Sequence, residues 1–304
     1  MNDPHTPSAR SAATIQTLIS AEALLALLAD GTPAVIIDTG FDLADPQAGE
    51  RAWRGAQVPG SRYLHLDRDL AGAKTGPSGV FRGRHPLPER ADFAATLARC
   101  GITPATQVVA LDRQGGVYAA RLWWMLRWMG HADVAVLDGG VAAWVAAGGA
   151  LVSAAPASAP VSIPAAAPPY PDRPSLATSI TIDDLALQLG RVRLIDARAG
   201  ERFRGEVEPL DAIAGHIPGA LNRFFKDNLG ADGRFKSADE LRADFAPLLG
   251  AESAPQVVHQ CGSGVTACHN LLAMEHAGLA GSALFVGSWS EWSSQPSRPV
   301  ACGG

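Results

Sequence analysis

The segment with the most chemical promise reads Gln256-Val-Val-His-Gln-Cys261-Gly-Ser-Gly-Val-Thr-Ala-Cys-His-Asn270. An apolar run leads into Cys261, a six-residue loop from Cys261 to Thr266 holds two glycines, and a helix-like stretch follows. That spacing puts a thiol beyond a strand end and at the mouth of a helix N-terminus. Gly262 and Gly264 let backbone N–H groups turn inward where a side chain would block them. Those dipoles favour an anion, so the thiolate is expected to be stabilised. A sulfur anion in such a nest is a nucleophile, and it can carry a second sulfur as a persulfide. A cysteine by itself is more often a buried structural residue; the strand, glycine loop and helix around Cys261 turn the reading toward chemistry. Ser263, Val265 and Thr266 complete the loop, and with Gly262 and Gly264 they would line the seat of a small donor.

A second group of candidates stands in Asp196-Ala-Arg198-Ala-Gly-Glu-Arg202-Phe203, just after another apolar run. Arg198 and Arg202 are four residues apart and could share a face. The guanidinium fork suits a carboxylate because it makes two parallel hydrogen bonds. The alternative is an ordinary surface ion pair with Glu201 or Glu206.

The elements that must position these residues alternate. Short apolar runs at Val35–Asp38, Gln107–Leu111, Val134–Leu137, Arg193–Asp196, Gln256–Gln260 and Ala283–Val286 read as buried strands. Segments Thr17–Ala29, Arg90–Arg99, Ala119–Met129, Ile182–Leu189, Asp239–Leu248 and Ala267–His276 carry apolar residues at helical steps. Alternating strands and helices point to an α/β fold with mainly parallel sheets flanked by helices, and ligands on such sheets bind beyond the carboxyl ends of the strands.

The pattern occurs twice. Ile36-Ile37-Asp38 matches Leu194-Ile195-Asp196, Gln57-Val-Pro-Gly60 matches His216-Ile-Pro-Gly219, and Leu137-Asp-Gly-Gly-Val141 matches Phe285-Val-Gly-Ser-Trp289. Val108–Asp112 matches Val257–Cys261, which sets Asp112 where the second half has its cysteine. The first half thus reads as a duplicate that kept the scaffold and lost the thiol. Because Gln57 stands at the place of His216, that histidine is read as structural. Between the halves, residues 148–175 hold seven prolines and should run extended as a linker. The expected division is a polar tail at 1–14, a non-catalytic domain at 15–147, the linker at 148–175 and a catalytic domain at 176–304.

Composition narrows the classes. With 304 residues, 47% hydrophobic and 18% charged, the chain is an ordinary globular protein of two-domain size. A net charge of −5 gives no basic field for nucleic acid or an anionic membrane. The run Ala23–Ala29 is too short to span a bilayer. Cysteines at 100, 261, 268 and 302 form neither a disulfide framework nor a zinc pattern, so no metal and no cofactor are expected. The N-terminal residues do not read as an export signal, and the cytoplasm is the expected compartment. Cys268 is read as packing, Cys100 and Cys302 lack catalytic context, and Trp123, Trp124, Trp128 and Trp144 are read as core.

Over about residues 15–295 the chain resembles the two-domain rhodanese-type sulfurtransferases. The loop Cys261-Gly-Ser-Gly-Val-Thr-Ala267 is similar to that of the mercaptopyruvate-specific members, and Gly287-Ser-Trp-Ser-Glu-Trp292 also fits. The resemblance implies two tandem rhodanese-like domains. It implies a cycle in which Cys261 takes sulfur from 3-mercaptopyruvate, releases pyruvate and passes the sulfur to cyanide or to a thiol acceptor such as thioredoxin or a small thiol. It also implies that Arg202 holds the donor, and that Asp67 and His85 of the first half form a relay with Ser263. Thiosulfate-specific members carry cations where Gly262 and Ser263 stand, so thiosulfate is the second donor candidate. In one place the chain departs from the family. The mercaptopyruvate enzymes have a second arginine in a Glu-Pro-Arg stretch, and here Glu208-Pro209 is followed by Leu210. Either another cation replaces it or the donor differs. Two other classes are disfavoured: Ala267 stands where a cysteine phosphatase needs an arginine, and the full glycine loop with Cys261 argues against a purely non-catalytic binding module.

Overall fold

The computed structural model describes residues 16–153 and 169–303. The tail at 1–14 and the linker residues 154–168 lie outside the described residues. Two five-stranded sheets, both wholly parallel, share one topology. In the first, β1 (Leu18–Ile19), β2 (Ala34–Asp38), β3 (Arg62–Tyr63), β4 (Gln107–Leu111) and β5 (Val134–Leu137) lie in the order β1-β5-β4-β2-β3. In the second, β6 (Thr178–Ile180), β7 (Arg193–Asp196), β8 (Leu221–Asn222), β9 (Val257–Gln260) and β10 (Ala283–Phe285) repeat it as β6-β10-β9-β7-β8. Helices cover both faces, so the chain has an α/β fold of two tandem sheets. No described helix is long and apolar enough to cross a membrane.

Strand pleating explains why the central strands read as continuous apolar runs. In β4, Val109 and Leu111 face one apolar layer with Ile36, Leu137 and Trp144, while Val108 and Ala110 face the other. That second layer is the joint of the molecule. The helix Val117–Trp128 of the first half packs against Thr266–His276 of the second, and Leu122, Trp124, Leu271 and Leu272 belong to one core across the halves. Each helix follows directly on the loop after its central strand. Packing them together therefore brings the Asp112 and Cys261 loops to one place.

Several boundaries differ from the sequence reading, most of them by one or two residues, and two of the differences have a plain local cause. The stretch from Thr17 is not helical throughout: Leu18–Ile19 pairs with Val136–Leu137 as an edge strand, and the helix starts at Ala21 because the Ser20 hydroxyl caps it, accepting from the Ala23 N–H at 3.1 Å. Gln256 closes a short 3-10 turn that Ser253 caps, so β9 starts at Val257.

Candidate active site

Cys261 lies one residue past β9 and is 2% exposed. The loop turns at Gly264, whose φ of +76° and whose closeness to the Val286 carbonyl both demand glycine; a Cβ there would lie 2.3 Å from that oxygen. This turn points the Gly264 N–H at the Cys261 Sγ, 3.2 Å away. The segment after β10 holds the loop from the other side. Trp289 N–H donates to the Cys261 carbonyl at 3.0 Å, and Ser290 N–H to the Gly262 carbonyl at 2.9 Å. Cys261 N–H donates to the Ser288 hydroxyl at 3.1 Å. Ser288 has a φ of +54°, the only left-handed non-glycine residue among the described residues. Its hydroxyl, which also donates to the Phe285 carbonyl at 2.9 Å, ties that strained turn to the cysteine.

Ser263, His85 and Asp67 come together across the two halves. His85 Nδ1 lies 2.8 Å from the Ser263 hydroxyl oxygen, and its Nε2 lies 3.3 Å from an Asp67 carboxylate oxygen. The hydrogen bond to His85 holds the Asp67 carboxyl below its usual range, so it is ionised and can only accept. The His85 proton then sits on Nε2, and Nδ1 accepts from Ser263. Burial pulls the His85 ring below its ordinary value of 6.5, against the opposing pull of Asp67, so the ring rests neutral. Asp67 is fixed by a four-residue helix, Leu66–Asp69, where its N–H donates to His65 Nδ1 at 3.1 Å. The long segment before His85 folds onto itself: Gly76 N–H donates to the Val80 carbonyl and Arg82 N–H to the Lys74 carbonyl, which returns the chain to the site.

Cys261, Ser263, Val265 and Thr266 line a cavity of about 620 Å³ together with His85 and three arginines. Arg202 does not pair with Glu201 or Glu206. Its Nη2 donates to the Glu208 carboxylate at 2.6 Å and lies 3.7 Å from Asp211. Arg198 also lines the cavity, but its guanidinium is taken up by Asp196 (2.7 Å), the Gly215 carbonyl (2.8 Å) and the Trp289 ring it covers at 4.9 Å. The third arginine, Arg84, was not singled out from sequence. It forms an ion pair with Asp211, and its Nη2 comes so close to Gly262 that a Cβ there would lie 2.7 Å away. The Arg202 guanidinium approaches the same point at 3.5 Å. Two cations from different halves thus converge beside Gly262, and Leu210 lines the same cavity. Its neighbour His85 was the signal that could have found Arg84, given a missing arginine at Leu210.

The remaining candidates fall outside the site. The His216 ring stacks on Phe203 at 3.8 Å and bonds the Phe203 carbonyl at 2.8 Å. The Cys268 thiol donates to the Gly264 carbonyl at 3.3 Å, and burial pushes it up to about 12. Burial likewise pushes Cys100 up to about 11, while Cys302 is exposed. Trp123, Trp124 and Trp144 are core, and Trp128 packs at its edge.

Comparison with known proteins adds to this geometry. The rhodanese-like domain family matches residues 20–147 and again 181–295. A protein of Pseudomonas aeruginosa named a probable 3-mercaptopyruvate sulfurtransferase is 43% identical over 94% of this chain and 98% of its own length. The thiosulfate sulfurtransferase of Mus musculus is 32% identical over 84% of each chain. The solved 3-mercaptopyruvate sulfurtransferase from Leishmania major superposes with a TM-score of 0.79 at 30% identity, covering 92% of this chain and 74% of that one.

Proposed function

The chain belongs to the rhodanese-like family and is a sulfurtransferase, and we propose that it takes sulfur from 3-mercaptopyruvate onto Cys261 and passes it to cyanide or a thiol. The Cys261 thiolate attacks the donor sulfur. An S–S bond forms, the S–C bond breaks, and the electron pair leaves on the enolate of pyruvate. The donor's own thiol proton can reach that enolate by way of Ser263 and a transiently charged His85, which Asp67 steadies. The products are pyruvate and a Cys261 persulfide anion. A thiolate acceptor, from thioredoxin or a small thiol, then takes the outer sulfur and frees Cys261. Four cysteines left free suit a reducing cytoplasm.

The observation that carries the reading is the line of Ser263, His85 and Asp67 beside Cys261, at 2.8 and 3.3 Å. A proton relay suits a donor that leaves as an enolate and has no use with thiosulfate, which leaves as sulfite. In this reading Arg84 takes the place of the arginine that Leu210 lacks. Arg84 and Arg202 seat the donor carboxylate, Arg198 steadies Glu208, to which its Nη1 donates at 3.4 Å, and Gly262, Gly264, Val265 and Thr266 shape the seat. The paired cations at Gly262 also favour a second reading, since they could meet the charged end of thiosulfate. Steady-state rates with the two donors side by side decide. We expect kcat/KM for mercaptopyruvate to exceed that for thiosulfate by at least about a hundredfold, the scale of one positioned acid–base group. A higher value for thiosulfate would promote the second reading.

A further inference from the structure

Arg121 sits in the helix Val117–Trp128 that follows the Asp112 loop, and it is 0% exposed. Its guanidinium reaches three carbonyls. Nη1 donates to Gly264 at 3.0 Å, and Nη2 to His85 at 3.1 Å and Leu70 at 3.3 Å. Nε is buried without a hydrogen-bond partner, and no carboxylate pairs with Arg121 among the described residues. An uncompensated buried cation is expensive, and an apolar side chain buried at this place would cost less. Burial lowers the guanidinium's value, and the charges that oppose it are conditional: the ionised forms of the Cys268 and, after it, the Cys261 thiol.

Cys268 donates its own proton to the Gly264 carbonyl, and burial pushes that thiol up to about 12, so at neutral pH it offers Arg121 no charge. Gly264 accepts from Arg121 through its carbonyl while its own N–H points at Cys261 Sγ. The same side chain grips the backbone of His85 and the end of the short helix that carries Asp67. We propose that Arg121 is a positioning residue that supplies the counter-charge for the Cys261 sulfur anion and locks the cysteine loop to the Ser263–His85–Asp67 line. The half whose loop carries Asp112 in place of a cysteine would thereby take part in the chemistry of the other half. This rests on the reading of Cys261 as the nucleophile.

Two variants separate charge from shape. In Arg121→Met the charge is gone. Iodoacetamide should alkylate Cys261 about tenfold more slowly at pH 7, the scale of one lost opposite charge. Cys261 is to be read by peptide mass, because Cys302 is exposed. The kcat for mercaptopyruvate should fall at least as far with KM within about threefold, since Arg121 is not part of the cavity wall. In Arg121→Lys the charge stays, so alkylation should return to within about threefold of wild type, while turnover stays low because an ammonium cannot span three carbonyls. Wild-type alkylation in folded Arg121→Met overturns the proposal. So does a folded Arg121→Lys that alkylates as slowly as Arg121→Met; if Arg121→Met does not fold, an alkylation loss of about tenfold in folded Arg121→Lys overturns it as well. A wild-type Cys261 that neither alkylates nor gains sulfur would instead sink the nucleophile reading itself.

Discussion

The two loops that follow the central strands, one after β4 at Asp112 and one after β9 at Cys261, are built alike and hold different side chains. Both turn at a left-handed glycine, Gly115 at φ +75° and Gly264 at +76°. Both are held by a second left-handed residue after the next strand, Gly140 at +55° and Ser288 at +54°. In the first half the Asp112 carboxylate fills the nest. It accepts from Gln114, Gly116, Tyr118 and Ala119 N–H groups at 2.8 to 3.1 Å and thereby caps the helix Val117–Trp128. In the second half the nest holds the Cys261 sulfur on a single N–H, that of Gly264, among the described residues. In both halves the scaffold aims backbone N–H groups at the side chain that follows the central strand. A carboxylate of its own satisfies one nest, while the thiol leaves the other with N–H capacity that, in the proposed function, serves an incoming sulfur.

The comparison can be broken by exchange. Cys261→Asp should abolish sulfur transfer, yet fold and melt within a few degrees of wild type, because the first half shows that this nest accepts a carboxylate. A collapse in stability would mean that the loops are less alike than their backbones. His85→Ala should come next, lowering kcat with mercaptopyruvate by about a hundredfold. A pH profile sharpens that point. A ring already protonated cannot take the donor's proton, so turnover should fall as pH drops through the His85 value, which burial sets below 6.5. Asp67→Asn removes the pull that raises it and should move the acid limb to still lower pH; a limb moving upward would contradict the assignment.

Arg84→Leu asks whether the halves share the donor. It should raise KM for mercaptopyruvate by about ten- to a hundredfold with little change in kcat, the cost of one charged hydrogen-bonding contact. The smallest effect on activity is expected for Asp112→Ala. Four N–H groups lose their acceptor, so unfolding should become easier by about 3 kcal/mol, seen as a lower denaturation midpoint. Turnover at 25 °C should stay within about threefold. A large loss of turnover in a folded variant would show that the first nest is not inert.

How far the sequence carried the reading depends on whether a residue acts within its own segment. The Cys261 loop was legible because strand, glycines and helix are contiguous, and the repeat was legible because its anchors recur in order. Ser263, His85 and Asp67 were reached through family resemblance alone, since nothing local joins residues 178 positions apart. Arg198 was read as a donor contact, yet Asp196, only two residues earlier, takes its guanidinium. Arg84 and Arg121 act across the joint between the halves. Their signals were faint: a cation beside His85, and a lone charge within Ala119-Ala-Arg-Leu-Trp-Trp-Met125.

The central claim is that Cys261 carries the transferred sulfur. Intact mass of the wild-type protein after incubation with 3-mercaptopyruvate tests it most directly, with Cys261→Ser and Cys268→Ser alongside. Wild type and Cys268→Ser should gain the mass of one sulfur atom and lose it on adding a thiol, and Cys261→Ser should gain none. Sulfur on Cys261→Ser at the wild-type rate would contradict the account.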